Sequence, residues 1–484
     1  MNQIRVRIAP SPTGFLHVGT ARTALFNFLF AKKHNGKFIL RIEDTDLERS
    51  EEKYVQNIYE SLKTIGLNWD EGPDIDGPYA SYKQSERFDL YKKYADKLIQ
   101  SNNAYFCWCT QEELEAEKEK AMHEKKPYVY SRKCKNLTPE QIENYKQQGR
   151  TPVIRFSVPL KSLRFDDIVR GKLDFDTGLI GDFVIMKSNG TPTYNFAVVV
   201  DDIEMKISHI IRGEDHISNT PRQLLIYEAL GFKPPEFAHV GMILAPDRTK
   251  LSKRHGATAV NEFIEKGYLP EAFVNFLALL GWSPADGQEI KNLDELIQAF
   301  SLERISPSPA IFEFDKLNWM NSHYIRNLSI SDITNRAKFY LKDYDLSVYS
   351  QEQLEIMVSA VREPLTILSD ITDAVSYFFG DTVKINLEAE KNFTQNSQKI
   401  LHEFFKITES ISYDNIEEMR SQLTDFRKSM PDLAPKQVMP IIRIALTGRT
   451  RGADLATVIS LLGKDRVKLR INDALRKLNK DENI

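Results

Sequence analysis

Two short stretches of this chain hold the residue types that handle phosphate. His17-Val18-Gly19-Thr20 follows a loop punctuated by Pro10, Pro12 and Gly14 and opens a segment with helical apolar spacing. The unpaired amides and dipole of a helix N-terminus favour an anion. A histidine there can donate to a phosphate, and Gly19 lets a ring or ribose approach the backbone. The tripeptide alone leaves a plain capping histidine as the competing reading. Lys250-Leu251-Ser252-Lys253-Arg254 places three cations around a serine, which suits a mobile clamp on a polyphosphate but also describes a solvated charge run. Neither G-x-G-x-x-G nor G-x-x-x-x-G-K-[ST] occurs, so the common phosphate cradles are absent. A third constellation is Cys107-Trp108-Cys109, followed after 24 intervening residues by Cys134, with Tyr130 four positions before it.

The elements that must position these groups read as α/β. Residues 4–9 alternate as a strand, 18–32 have helical spacing, and 38–42 form a second apolar run before an amphipathic helix expected over 47–67. Strand, helix and strand in about 40 residues make a βαβ unit and hence a parallel sheet. Further strands are expected at 196–200, 207–211 and 237–244, with a helix over 220–230. The two phosphate-type loops then follow the first and last strands, where a doubly wound fold brings loops to one carboxyl edge. The segment 105–190 breaks this rhythm with a charged helix at 111–126 and short strands such as 153–156, and reads as an insertion. Beyond about 260 strands stop. A helix is expected at 269–280, a compact connector near 315–320, and helical bundles from 330 to the end.

Composition bounds the class. The chain has 484 residues, 42% hydrophobic and 27% charged, an ordinary globular mixture. With 65 Lys and Arg against 68 Asp and Glu the net charge is −3, so any nucleic-acid surface must be local. The last 44 residues hold 10 basic against 5 acidic side chains, among them Arg443, Arg449, Arg451, Lys464, Arg466, Lys468 and Arg470, and fit phosphate contacts. Three cysteines argue against a disulfide framework and for a reducing compartment. No stretch approaches 18 uncharged apolar residues, and the N-terminus runs straight into a strand without a signal peptide, so a cytoplasmic, non-membrane protein is expected.

Residues 10–20 and 250–254 resemble the two signatures of class I aminoacyl-tRNA synthetases. Residues 41–46 (Arg-Ile-Glu-Asp-Thr-Asp), 194–202 (Tyr-Asn-Phe-Ala-Val-Val-Val-Asp-Asp) and 211–216 (Ile-Arg-Gly-Glu-Asp-His) narrow the resemblance to the bacterial glutamyl-tRNA synthetases, in order along the whole chain. It implies a Rossmann-like α/β catalytic domain with an inserted α+β domain, followed by an α-helical anticodon-binding half. The implied boundaries are 1–104 with 191–245 for the split catalytic domain, 105–190 for the insertion contacting the acceptor end, and 246–330 for a connector carrying the KLSKR loop. Two helical domains would follow at 331–390 and 391–484.

The implied activity joins L-glutamate to tRNA(Glu) in two steps, through glutamyl-adenylate and then an ester on the 2′-hydroxyl of the terminal adenosine. His17 and Lys253 would be catalytic. The ATP site would comprise His17, Gly19, Thr20, Asp215, Lys250, Ser252, Lys253 and Arg254, with Mg2+ on the phosphates. Glutamate, with two carboxylates and one ammonium, needs two cations and one acid in its pocket. Arg7 and Arg212 would supply the cations, Tyr194 a hydroxyl and Glu43 the acid, all taken as strand ends, with Ala9, Ser11 and Val198 completing the lining. By the same resemblance Cys107, Cys109 and Cys134 would bind structural Zn2+. Asn136 stands where some members have a histidine ligand, leaving Tyr130 as the fourth ligand or His123 as a more distant alternative, against a reading of three unligated thiols. Arg362 and Pro364 lie near the place at which some relatives read the third anticodon base, which leaves charging of tRNA(Gln) as well as tRNA(Glu) open. The family's usual state is a monomer. Glutaminyl-tRNA synthetases carry C-terminal β-barrels, and the short relatives that glutamylate a modified tRNA base lack a C-terminal half. A nucleotidyltransferase would not explain the helical tail, and a non-catalytic tRNA-binding paralogue has no need of His17 and Lys253.

Overall fold

Strand β1 (Arg5–Ile8) is buried along its whole length. Val6 and Ile8 supply the apolar face, so Arg5 and Arg7 fall on the opposite face and must find counter-ions inside. Arg5 makes a two-pronged pair with Glu71 at 2.7 and 2.8 Å. Helix α1 (Val18–Lys33) is apolar nearly all round, as befits a central buried helix, and returns the chain to β2 (Lys37–Leu40), which pairs parallel with β1. Helix α2 (Glu52–Thr64) realises a shorter version of the helix expected over 47–67, and Leu47 lies outside the described residues. Helix α3 (Phe88–Gln100) leads into β3 (Ala104–Cys107). In this computed structural model residues 3–46, 48–385, 387–394, 396–433 and 435–481 are described. They fall into two units, 1–264 with 270–314 and 265–269 with 315–484.

Two helices, α4 (Gln111–His123) and α5 (Pro139–Gln147), each with a threonine capping box, precede β4 (Val153–Phe156). β5 (Ser162–Asp167) and β6 (Gly171–Asp176) form a hairpin, and β7 (Phe183–Met186) closes a three-stranded antiparallel sheet of order β3-β4-β7. The hairpin belongs elsewhere: β8 (His209–Gly213) and β9 (Glu236–Val240) pair parallel, and β5 joins β9 at Asp167 opposite Phe237, giving the order β6-β5-β9-β8. The Ser208 amide donates to the Arg5 carbonyl at 2.9 Å, carrying the edge of β1 to that of β8.

The apolar run 196–200, expected as a strand, is instead the middle of helix α6 (Tyr194–Glu204). A short apolar run has no periodicity of its own, and burial on every side overrides the β-preference of its valines. The helical turn also brings Asp201 and Asp202 inward together, 0% and 1% exposed. Helix α7 (Thr220–Leu230) occupies the expected span and ends on Gly231 in the left-handed region. Strands do not stop at 260: β10 (Ile243–Leu244) pairs parallel with β11 (Ala310–Ile311). The region taken as a connector near 315–320 belongs to a helix, Phe314–Asn327.

The second unit is helical, with Ile330–Ala337, Gln351–Val361, Ser397–Ile407, Ile416–Lys428, Pro435–Thr447 and Leu455–Asp481 as its longer helices. Several of the basic side chains that the charge count offered to phosphate are spent inside the unit. Arg470 is 1% exposed and donates to the carbonyls of Tyr377, Leu446 and Gly380. Arg466 is spent on Tyr349 Oη and the Phe378 carbonyl, and Arg443 on the Ala453 carbonyl. Arg449 pairs with Asp373, while Lys464 and Lys468 share Glu409. Arg451 stays exposed. A count of charges along a chain does not say which face they turn to.

Candidate active site

A cavity of about 880 Å³ opens at the carboxyl ends of β1 and β8. At its floor His17 is the N-cap of α1, its Nδ1 accepting the Gly19 amide at 3.1 Å. That bond occupies the Nδ1 lone pair and leaves the ring proton on Nε2, a neutral donor beside the helix amides. Burial, reinforced by Lys250, pulls the His17 pKa below its ordinary value and keeps it neutral. The loop is braced by residues 258–260: Val18 donates to the Thr258 carbonyl and Val260 to that of Leu16.

The cavity wall brings together Arg7, Ala9, Ser11, His17, Gly19, Thr20, Glu43, Tyr194, Arg212, Asp215 and Lys250. Val198 instead lies in the apolar core, 1% exposed. Ser252 and Arg254 are off the wall as well. Ser252 lies 3.1 Å from His255 Nδ1, and Arg254 lies beside His255 Nε2 and donates to Thr249 Oγ1. This loop is organised by Asp247, whose pKa is lowered to about 2 by hydrogen bonds from Thr249 and His255. The side chain of Lys253 is outside the described residues. Tyr194 is not at a strand end but opens α6, and its hydroxyl lies 3.0 Å from His216 Nδ1. Burial pushes that phenol up to about 12, so it remains a neutral donor.

Two cations face the cavity, each with its Nη1 group to spare. Arg7 spends Nε and Nη2 on Asp202 at 3.1 and 3.3 Å, and its Nη1 has no partner among the described residues. Arg212, 5% exposed, donates Nε to His239 Nε2 at 3.1 Å and Nη2 to Thr220 Oγ1 at 2.8 Å, leaving a buried Nη1 unpaired. Among the described residues no carboxylate touches Arg212, and an unneutralised buried guanidinium is costly unless a ligand completes it. Glu43 accepts from Arg41 at 3.1 Å, and burial pushes its carboxyl up against the pull of Arg41 and Arg7. Arg41 in turn donates to Asp202 at 2.6 Å. Asp202 stays ionised because those two arginines outweigh its burial. The supporting side chains carry no signal of their own in the sequence: Asp202 lies unmarked within the 194–202 string, and Asp167 and His239 belong to no motif. Arg22 carries none either. It lines the cavity, donates to the Gly241 carbonyl at 2.5 Å, and is lowered to about 10 by burial.

Away from the cavity, β3 ends on Cys107, and the sulfurs of Cys107, Cys109 and Cys134 lie within 4.8 Å of one another. The Tyr130 hydroxyl is 3.4 Å from Cys107 Sγ and 3.2 Å from Cys109 Sγ. Three soft thiols and a phenol converging on one point fit a closed tetrahedral zinc site. His123, exposed at the end of α4, is not part of the cluster.

Residues 3–319 match the family described as tRNA synthetases class I (E and Q), catalytic domain, and residues 329–475 match the anticodon binding domain. The chain is 49% identical to a glutamate–tRNA ligase of Carboxydothermus hydrogenoformans, over 97% of this chain and 99% of that one. It is 47% identical to one of Caldanaerobacter subterraneus, over 100% and 99%. A crystal structure of a glutamate tRNA ligase from Elizabethkingia meningosepticum, in complex with its amino acid, superposes with a TM-score of 0.91 at 35% identity, covering 99% of this chain and all of that one. With a nucleotide-type cap, a two-arginine pocket and these relatives in agreement over the whole length, the chain belongs to the class I tRNA synthetases, among the bacterial glutamate–tRNA ligases.

Proposed function

We propose that the cavity of the first unit is where this ligase activates glutamate, with roles assigned residue by residue. The observation that carries the reading is the pair of unspent Nη1 groups on Arg7 and Arg212 in one cavity with Glu43 and the His17 cap. Two cationic Nη1 groups suit the side-chain carboxylate of glutamate and disfavour an amide, whose own N–H would meet a donor. Glu43 takes the α-ammonium, and Tyr194 donates its hydroxyl.

The α-carboxylate oxygen then attacks the α-phosphorus of ATP, and the bond to the bridging oxygen breaks as pyrophosphate leaves. Here the protein aligns two anions and meets developing charge with preset donors. His17 Nε2–H, the Thr20 amide and Lys250 meet those phosphates, and Lys253, by the family resemblance, would supply a further cation. Magnesium on the nucleotide phosphates, when bound, neutralises part of their charge. The 2′-hydroxyl of the tRNA terminus next attacks the acyl carbonyl, and AMP departs. Cys107, Cys109, Cys134 and Tyr130 would hold a zinc ion that, when bound, ties β3 to the 130–134 loop. The chain acts as a cytoplasmic monomer, in keeping with the family's usual state.

The test is charging of purified glutamate and glutamine tRNAs with labelled glutamate, glutamine competing, by the parent and by Arg212→Gln. Glutamate esterified by the parent, with kcat/KM for glutamate down at least about 50-fold in the variant, supports the assignment. An unchanged kcat/KM for glutamate would remove Arg212 from the pocket.

A further inference from the structure

We infer that Asp167 and His239 are positioning residues for Arg212, holding its guanidinium in place while leaving its charge for the substrate. The inference rests on Arg212 contacting the glutamate side chain, as proposed above. His239 lies on β9 directly opposite Arg212 on β8, and both it and Asp167 are without exposed side-chain surface.

The hydrogen bonds fix the direction of the relay. Asp167 Oδ2 is 2.6 Å from His239 Nδ1. The same carboxylate accepts the amides of His239, Val169 and Arg170. Its burial is outweighed by these bonds, so it is ionised and only accepts. The ring proton must therefore sit on Nδ1, which leaves Nε2 with a bare lone pair. Arg212 Nε–H points at that lone pair. Burial lowers the pKa of His239, so the ring stays neutral. Thr220 Oγ1, 3.1 Å from the same nitrogen, takes Arg212 Nη2.

The consequence is chemical. A carboxylate in place of His239 would neutralise Arg212 outright and compete with the substrate. A neutral imidazole polarised by a carboxylate behind it instead holds the Nε edge, Thr220 Oγ1 holds Nη2, and the positive charge stays whole. The residue doing this from furthest away, Asp167, closes strand β5 and is 72 residues from its partner.

The test uses the full chain and separates the two ends of the imidazole. Gln at 239 can present an oxygen where Nε2 was, whereas Asn reaches only the Asp167 end. His239→Asn and Asp167→Asn should raise KM for glutamate about 10-fold, with KM for ATP and kcat within about twofold of the parent. His239→Gln should stay within about threefold. Equal glutamate KM in the Asn and Gln variants, or no rise in either Asn variant while Arg212→Gln does raise it, overturns the positioning role. If Arg212→Gln itself leaves glutamate KM unchanged, the pocket reading falls instead. A measurement on the parent guards against variants that fail to fold. The ring nitrogens of 15N-histidine protein should show His239 as the Nδ1–H tautomer, the minor form of free histidine, at neutral pH; an Nε2–H tautomer overturns the inference.

Discussion

Arg7 meets Asp202 side-on, with Nε 3.1 Å from one carboxylate oxygen and Nη2 3.3 Å from the other. The pair is all but sealed from solvent, so the guanidinium cannot swing, and only its Nη1 edge is left for a substrate. Asp202→Asn should weaken glutamate binding more than ATP binding, by about tenfold or more in KM. Steady-state charging kinetics at saturating ATP and tRNA decide this. A variant whose glutamate and ATP constants shift together would instead report damage to the fold.

Replacing His17 by Ala removes both the cap of α1 and the Nε2–H donor. Glutamate-dependent ATP–pyrophosphate exchange, run with tRNA present, should slow by about 10² or more. Lost capping accounts for about 1 kcal/mol of stability, which thermal melting would register separately. Near-normal exchange in this variant would assign the histidine to capping alone.

Four histidines of the first unit, His17, His209, His216 and His239, are held below their ordinary pKa, each chiefly by burial. A lowered histidine pKa means that the unfolded chain takes up protons which the folded one refuses. Stability from this source is therefore complete above the ordinary histidine value and is lost as pH falls below it toward the folded values. Melting temperature should drop between pH 7.5 and 5.5, and His209→Asn should drop less over the same window. A flat profile in the parent would contradict the burial argument.

Metal analysis of protein purified without chelator or histidine tag should find close to one zinc per chain. The metal should be lost from a Cys107→Ser, Cys109→Ser double variant, which should also melt earlier. Fresh protein with less than about 0.2 zinc per chain would favour three free thiols.

In the helical unit, Arg470 and Arg451 should part company. Arg470→Met strands two buried carbonyls, those of Tyr377 and Leu446, at about 1–3 kcal/mol each and should unfold the unit at lower temperature. Arg451→Gln should leave stability alone and, where that side chain meets a phosphate, reduce the salt slope of tRNA binding by about one. Binding assays across a salt series, set beside melting curves, would show the reverse if the buried arginine were the nucleic-acid contact.

What the sequence could reveal was set by range. His17-x-Gly19 was readable because capping is a local event completed within three residues. The helix over 220–230 announced both its ends with Pro221 and Gly231. Residues 196–200 misled because three successive valines look alike on a strand and in a fully buried helix. Asp167 and His239 stayed silent because their meaning exists only once β5 lies beside β9. The basic tail misled for a related reason: Arg443, Arg466 and Arg470 answer main-chain carbonyls that no charge count can see.

The hairpin β5–β6 has one more implication, for modularity. The insertion leaves and re-enters the main sheet, but this hairpin forms the rim of that sheet, and Asp167 stands in its ladder. Residues 162–176, which lie within the span expected for the insertion, are thus paired to the sheet of β8 and β9. A chimera spliced at 105 and 190 would carry away a piece of the host's own sheet, and grafts between relatives should keep this hairpin with its recipient.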